Sequence, residues 1–294
     1  MSNGIPFVRE IEFDYGASEE VSPLIRRVVA NNPSAFTYKG TGTYIVGHGK
    51  VAVIDPGPLL DAHVEALMRA LQGETVSHIL ITHTHSDHSP AAAPLKKLTG
   101  AKTYGYGPHG SGAGEEDGDM DFVPDVELRH GDIIEGDGWT IECVHTPGHT
   151  SNHMCFALKE EKALFTGDHV MGWSTSIVSP PDGDMTAYMA SLEMLLTRDD
   201  EVYWPTHGPA IHDPKRLVQA FIAHREDRER QILAQLKAGR HRIAEMVPVM
   251  YAAIDKRLHP AAARSVLAHM GRLVAQGRVV TDGPVTLGAD FRLP

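Results

Sequence analysis

The stretch HILITHTHSDHSP, residues 78–90, constrains the fold more than any other part of the chain. Its apolar half is too short for a helix and is typical of a buried strand. Its polar half places His83, His85, Asp87 and His88 within six positions, immediately past that strand. Strand ends are rigid anchor points, and the loops that leave them can converge on one place.

Imidazole nitrogen and carboxylate oxygen are ligands that Zn²⁺ takes in catalytic sites, where one position stays open for water. The spacing lets His83 and His85 face one metal while Asp87 and His88 face a second. Each ion then needs about one further ligand, and a pair of ions needs a shared one. Three later segments offer candidates at the ends of short apolar runs. HTPGHTSNH (145–153) presents His149 after a Pro-Gly turn, TGDHV (166–170) presents Asp168, and YWPTHGP (203–209) presents His207. The set then holds five His and two Asp, enough for two ions at three or four protein ligands each. A lone loop histidine is usually a polar surface residue, so His207 draws its weight from the cluster. A pH-sensing patch and adventitious metal binding are the competing readings of the cluster; His-rich tracts of the latter kind rarely follow a buried strand.

Asp55 in the IDPG turn, His145, His153, His169 and His212 are candidates for partners that fix imidazole orientation, against ordinary loop polarity. Trp173 and Ser174, shortly after Asp168, are candidates to line a substrate pocket together with His212; Trp173 reads equally as a core residue.

Around these motifs the chain alternates short strands and helices. TYIVG (43–47) and VAVIDPG (51–57) read as a hairpin, and Asp61 to Leu71 as a helix with one apolar face. Two more hairpins turn at Asp137-Gly138 and at Glu160-Glu161. Asp184 to Thr197 reads as a helix with Asp184 as its cap. GYGPHGSGAGEEDGDMD (105–121) reads as a Gly-rich surface loop, with a lid over a site as the sharper alternative. A long charged helix, 214–239, bridges a first unit (1–213) to a last one (240–294). There two helices and a hairpin turning at Gly283-Pro284 make a small winged-helix-like unit.

Composition sets the frame for this organisation. Hydrophobic content of 42% with 22% charged residues over 294 positions is that of an ordinary soluble globular protein. No apolar run approaches a membrane span, and the opening MSNGIPFVREIEFDYG lacks the pattern of a signal peptide, so a cytoplasmic protein without membrane contact is expected. Cys143 and Cys155 alone make no disulfide framework. The net charge of −11 argues against nonspecific coating of nucleic acid. Residues 240–294 carry eight Lys/Arg against four Asp/Glu, a net +4, which leaves −15 for the remainder.

The ordered set HTHSDH, TPGHT, TGDH and PTHGP resembles the metallo-β-lactamase superfamily over at least residues 40–213. The resemblance implies an αββα sandwich with a dinuclear site at one edge, between the two sheets. It implies His83, His85 and His149 as ligands of one metal, Asp87, His88 and His207 as ligands of the other, and Asp168 as the bridge. Two Zn²⁺ are the expected cofactors, although Fe and Mn accept the same donors. The nucleophile expected of such a site is a metal-bridging hydroxide, with Asp87 as the catalytic residue that orients it; no GxSxG motif offers another. Asp168 stands where true zinc β-lactamases lack the bridging carboxylate, so β-lactam hydrolysis is not expected as the native role.

GDHVMGWSTSIVSPPDGDMTAYMASLEML, THGPAIHDP and the tail resemble β-lactamase-like proteins with a C-terminal winged helix, whose animal member is a single-strand endoribonuclease. The first expectation is therefore phosphodiester hydrolysis on single-stranded RNA. The acidic first unit and the lack of an aromatic-interleaved basic groove weigh against it. The alternative is a small-molecule ester, thioester or lactone hydrolase of glyoxalase II type. A third reading makes the metal unit a ligand sensor and the winged helix a DNA- or protomer-binding module. The winged helix reads best as a packing or dimerisation cap, which leaves a homodimer open.

Overall fold

The computed structural model describes residues 4–110, 118–253 and 255–294. The chain opens with β1 (Ser18–Ser22), β2 (Ile25–Val29), β3 (Gly42–Val46) and β4 (Lys50–Ile54), then α1 (Asp61–Ala70) and β5 (Thr75–Leu80). Next come α2 (Ala92–Thr99), β6 (Lys102–Gly105) and β7 (Val126–Glu127). These seven strands form one sheet in chain order, antiparallel up to β4 and parallel from β4 to β7. A second sheet takes β8 (Ile133–Glu135), β9 (Thr140–His145), β10 (Met154–Leu158) and β11 (Ala163–Gly167). After α3 (Met185–Leu196), β12 (Val202–Pro205) joins it beside β11, as its only parallel neighbour.

Side chains alternate between faces along a strand, and the central strands are covered on both faces, so β3, β10 and β11 are buried along their whole length. In β4, Ala52 and Ile54 enter the core between the sheets, while Val51 and Val53 pack beneath α1 and α2. In β10, Met154, Phe156 and Leu158 face the first sheet, while Cys155 and Ala157 face α3. The result is helix, sheet, sheet, helix, the expected αββα sandwich. No helix among the described residues is long and apolar enough to cross a membrane.

α4 (Pro214–Lys237) starts at an Asp213 cap with Pro214 in its first turn, a favoured position for proline. Leu217, Val218 and Phe221 on its first half pack on the second sheet and α3. Ile232 and Leu236 on its second half join a separate core with α5 (Ile243–Met250) and α6 (His259–Ala275). One helix thus belongs to both cores.

Three local outcomes depart from sequence expectation. The strand within HILIT starts earlier and its pairing ends at Leu80, because the Thr82 N–H leaves the ladder to donate to the Asp55 carboxylate. The wing does not close at Gly283-Pro284. Val280 pairs with Arg292 instead, and the Arg292–Asp282 ion pair spans the loop they enclose. The Gly-rich stretch pairs at its far end, where Gly118 bridges to His85; residues 111–117, on which a lid would rest, lie outside the described residues.

Candidate metal centre

The loops after β4, β5, β9, β11 and β12 meet at one edge of the sandwich. The β5 loop supplies His83, His85, Asp87 and His88; the β9, β11 and β12 loops supply His149, Asp168 and His207. Three groups of potential ligand atoms form, each within 4.8 Å: His83 with His85 and His149, His83 with His88 and Asp168, and Asp87 with His88 and His207. All seven sequence candidates for ligands are therefore brought together.

The fine geometry shows how the nitrogens are directed. His149 Nδ1 donates to the Ile177 carbonyl at 2.6 Å and His207 Nδ1 to the Gly40 carbonyl at 3.1 Å. A carbonyl only accepts, so each ring carries its proton outward and turns the Nε2 lone pair into the site. His83 Nε2 and His149 Nε2 lie 2.9 and 3.1 Å from the same atom, His85 Nδ1. In the second group, His207 Nε2 lies 3.0 Å from Asp87 Oδ2 and 3.4 Å from Asp168 Oδ1. Asp168 also reaches toward the first group, 3.9 Å from His149 Nε2. His88 Nε2 and Asp168 Oδ1 are buried without a hydrogen-bond partner. Buried polar atoms of this kind are costly unless something pairs with them, and the donor types match a divalent metal. The residues fit a pair of ions, with Asp168 placed between the two groups.

Electrostatics follow the same division. Burial first, and then the neighbouring imidazoles, push His83 and His85 well below the usual histidine range. His88 is different: burial opposes its charge, but Asp87, Asp55 and Asp168 overcome burial and raise it to about 10. The carboxylates concentrate negative potential where the second group converges.

Behind the ligands stands Asp55, fully buried in the turn after β4 with a left-handed backbone (φ 48°). Its Oδ1 accepts from the Thr82 N–H at 2.8 Å. Its Oδ2 accepts from Thr82 Oγ1, Thr206 Oγ1 and His88 Nδ1 at 2.7, 2.9 and 2.8 Å. One carboxylate thus ties the β4, β5 and β12 loops and fixes the His88 ring. His153 stacks on His83, and its Nε2 accepts from the Asp168 N–H. His169 is buried against Tyr188, with its pKa lowered to about 3 by burial. His145 sits apart, stacked on Tyr106 and bonded to the Ser151 carbonyl. Gly167 is required where it is: with φ at 50°, a Cβ there would lie 2.7 Å from His153 Nε2.

Trp173 and Ser174 line a cavity of about 530 Å³ next to this edge. His212 does not join them. Ile211 pairs with Tyr203 and points inward, so alternation turns His212 to solvent. Sequence reasoning missed Thr82, Thr206 and the Gly40 and Ile177 carbonyls; none has a distinguishing pattern in the chain.

An αββα sandwich with His/Asp groups at the sheet edge that could hold divalent metal defines a class, the metal-dependent hydrolytic proteins. Residues 38–207 match the metallo-beta-lactamase superfamily model, and residues 243–285 match the beta-lactamase associated winged helix domain. The chain belongs to the metallo-beta-lactamase superfamily and is a hydrolase with a C-terminal winged-helix domain. It is 36% identical over 231 residues to the lactamase-like protein adaB of Aspergillus niger, covering 76% of this chain and 68% of that one. It is 34% identical over 240 residues to an atrochrysone carboxyl ACP thioesterase of Claviceps purpurea, covering 79% and 71%. A beta-lactamase domain protein from Burkholderia ambifaria shares the fold with a TM-score of 0.80 at 19% identity, over 97% of this chain and 96% of that one.

Proposed function

We propose that the chain is a metal-dependent thioester hydrolase, acting on an acyl group carried by a pantetheine-type thiol. The similarity to a named ACP thioesterase at 34% identity over most of the chain carries this reading. Two physical points support it. The chain bears a net −11, which disfavours an extended polyanion such as single-stranded RNA. A thiol of pKa about 8.5 leaves as the thiolate without a proton donor, whereas the alkoxide from a phosphodiester needs a proton donor or a metal ion to leave.

Bound divalent ions, zinc in our reading, would supply Lewis acidity and a nucleophile at neutral pH. The chain's residues do the positioning. Ile177, Gly40 and Asp55 orient the rings of His149, His207 and His88. Asp87, with its side chain 23% exposed and Oδ2 facing His207, is the carboxylate placed to accept a hydrogen bond from an attacking water and orient it. The winged-helix domain serves as a packing cap in this account. Arg264 on α6 donates to Ser179 Oγ and to the Pro180 carbonyl, tying that domain to the loop beyond the metal centre.

One substrate panel tests the proposal: an acyl-pantetheine thioester, a glutathione thioester, a lactone, bis-p-nitrophenyl phosphate, single-stranded RNA and nitrocefin. The pantetheine thioester should give the highest kcat/KM. Turnover of RNA above every thioester would return the phosphodiester expectation to first place.

A further inference from the structure

A cavity of about 530 Å³ opens beside the metal centre, between the N-terminal segment, the Trp173–Thr175 loop and α4, with Tyr251 and Ser265 closing it from the C-terminal side. Its wall is shared with the centre. A Cβ on Gly208, next to the ligand candidate His207, would lie 2.9 Å from Trp173 Cδ1. The same loop continues to Ile177, whose carbonyl orients His149.

The lining is cationic. Arg9, Arg225 and Arg228 line the cavity beside His224, and none of its described lining residues is a carboxylate. Most of the chain's arginines are ion-paired. These three are not paired among the described residues, although the protein is acidic overall. Arg225 is 4% exposed; it donates to the Ser176 carbonyl, lies over the Tyr188 ring, and keeps a buried Nε–H without an acceptor. Arg228 lies over Tyr251 at 4.6 Å, with one nitrogen bonded to Gln231. Trp173 stacks on Tyr38 at 4.8 Å, and its indole N–H is likewise buried and unpaired. Burial and then the two neighbouring guanidiniums lower His224 to about 4, as a positive local potential requires. Clustered guanidiniums without carboxylates are costly to hold together unless an anion joins them, and their planar forks match phosphate oxygens.

We propose that this cavity binds the phosphate ester of a phosphopantetheine arm, which places the arm's thioester end past Trp173 toward the metal centre. The proposal rests on the thioesterase reading for its choice of phosphate. Both a carrier protein and coenzyme A present this chemistry.

The test uses the metal-loaded full chain, titrated calorimetrically with 4′-phosphopantetheine and with pantetheine. The wild type should bind the phosphorylated compound roughly tenfold or more tightly. Arg9→Gln/Arg228→Gln should abolish that preference and leave pantetheine affinity unchanged, which also shows that the variant is folded. Arg225 is left intact because it holds the Ser176 carbonyl. Equal binding of the two compounds by wild type, or a preference that survives in the variant, overturns the proposal. So does binding of single-stranded RNA through these arginines without binding of phosphopantetheine. Arginine-dependent binding of holo carrier protein or of coenzyme A identifies which source is used. Phosphate selectivity in a protein that hydrolyses no thioester would sink the thioesterase reading and keep the cavity assignment; hydrolysis without selectivity would do the reverse.

Discussion

Asp55→Asn changes one oxygen to an amide nitrogen in the most connected side chain behind the metal centre. Each oxygen of Asp55 accepts from an N–H: Thr82 N on Oδ1 and His88 Nδ1 on Oδ2. The asparagine NH₂ must therefore meet a donor in either orientation. Facing Thr82, it strands a buried backbone N–H, at about 1–3 kcal/mol. Facing His88, it is relieved if the ring moves its proton from Nδ1 to Nε2. The second route costs less, since Thr82 Oγ1 and Thr206 Oγ1 can reverse their own bonds. With a metal bound the ring must be neutral, and this route leaves its single proton on the nitrogen that faces Asp87 and Asp168, where a metal needs a lone pair. Loss of such an outer partner weakens metal affinity about 10–100-fold, or about 1.4–2.7 kcal/mol. Titration of the metal-free protein with Zn²⁺ should show two binding steps in wild type. In the variant the step assigned to His88, Asp87 and His207 should weaken by that factor, while the step assigned to His83, His85 and His149 changes far less. Equal affinities in variant and wild type would refute the orienting role of Asp55.

Other outcomes follow from the same geometry. Gly148→Ala puts a Cβ 2.3 Å from the Tyr188 Cα at a φ of 138°, so α3 or the His149 loop must shift. Backbone strain alone costs about 1–3 kcal/mol, and thermal denaturation should show it. Glu229→Ala removes the buried carboxylate that Arg272 and Arg278 reach from the C-terminal unit at 2.6 and 3.2 Å. Breaking such a pair costs about 3–5 kcal/mol, and hydrogen exchange should rise first in α6. The same contact is pH-dependent. Burial favours the protonated carboxyl, but His269 at 3.6 Å and the Arg272 bond outweigh it and hold Glu229 below its ordinary value. Its stabilisation is complete above the unfolded pKa of about 4.3 and is lost as pH falls through the folded one. Protection of α6 should therefore decline below about pH 4; constant protection there would contradict the contact's role.

The ligand candidates were legible because chemistry fixes them: few sequences put three imidazoles and a carboxylate after an apolar run. Asp55 was legible only as a candidate, since its role depends on Thr82 and Thr206 arriving from other strands. The Gly40 and Ile177 carbonyls had no signature at all, because every residue carries one. His212 is a pocket candidate from sequence, but the Tyr203–Ile211 pairing that turns it outward is a tertiary fact. The turn of the wing differs for a related reason. Gly-Pro is a strong local turn signal, but the Val280–Arg292 pairing closes a longer loop around it. The arginines of the cavity were equally hidden, since Arg9, Arg225 and Arg228 meet only in the fold.

Metal analysis of purified protein tests most directly whether the centre holds two ions with Asp168 serving both groups. Wild type should hold about two ions per chain, and Asp168→Ala should lose at least one while staying folded. A single ion in wild type, or full retention in Asp168→Ala, would contradict that arrangement.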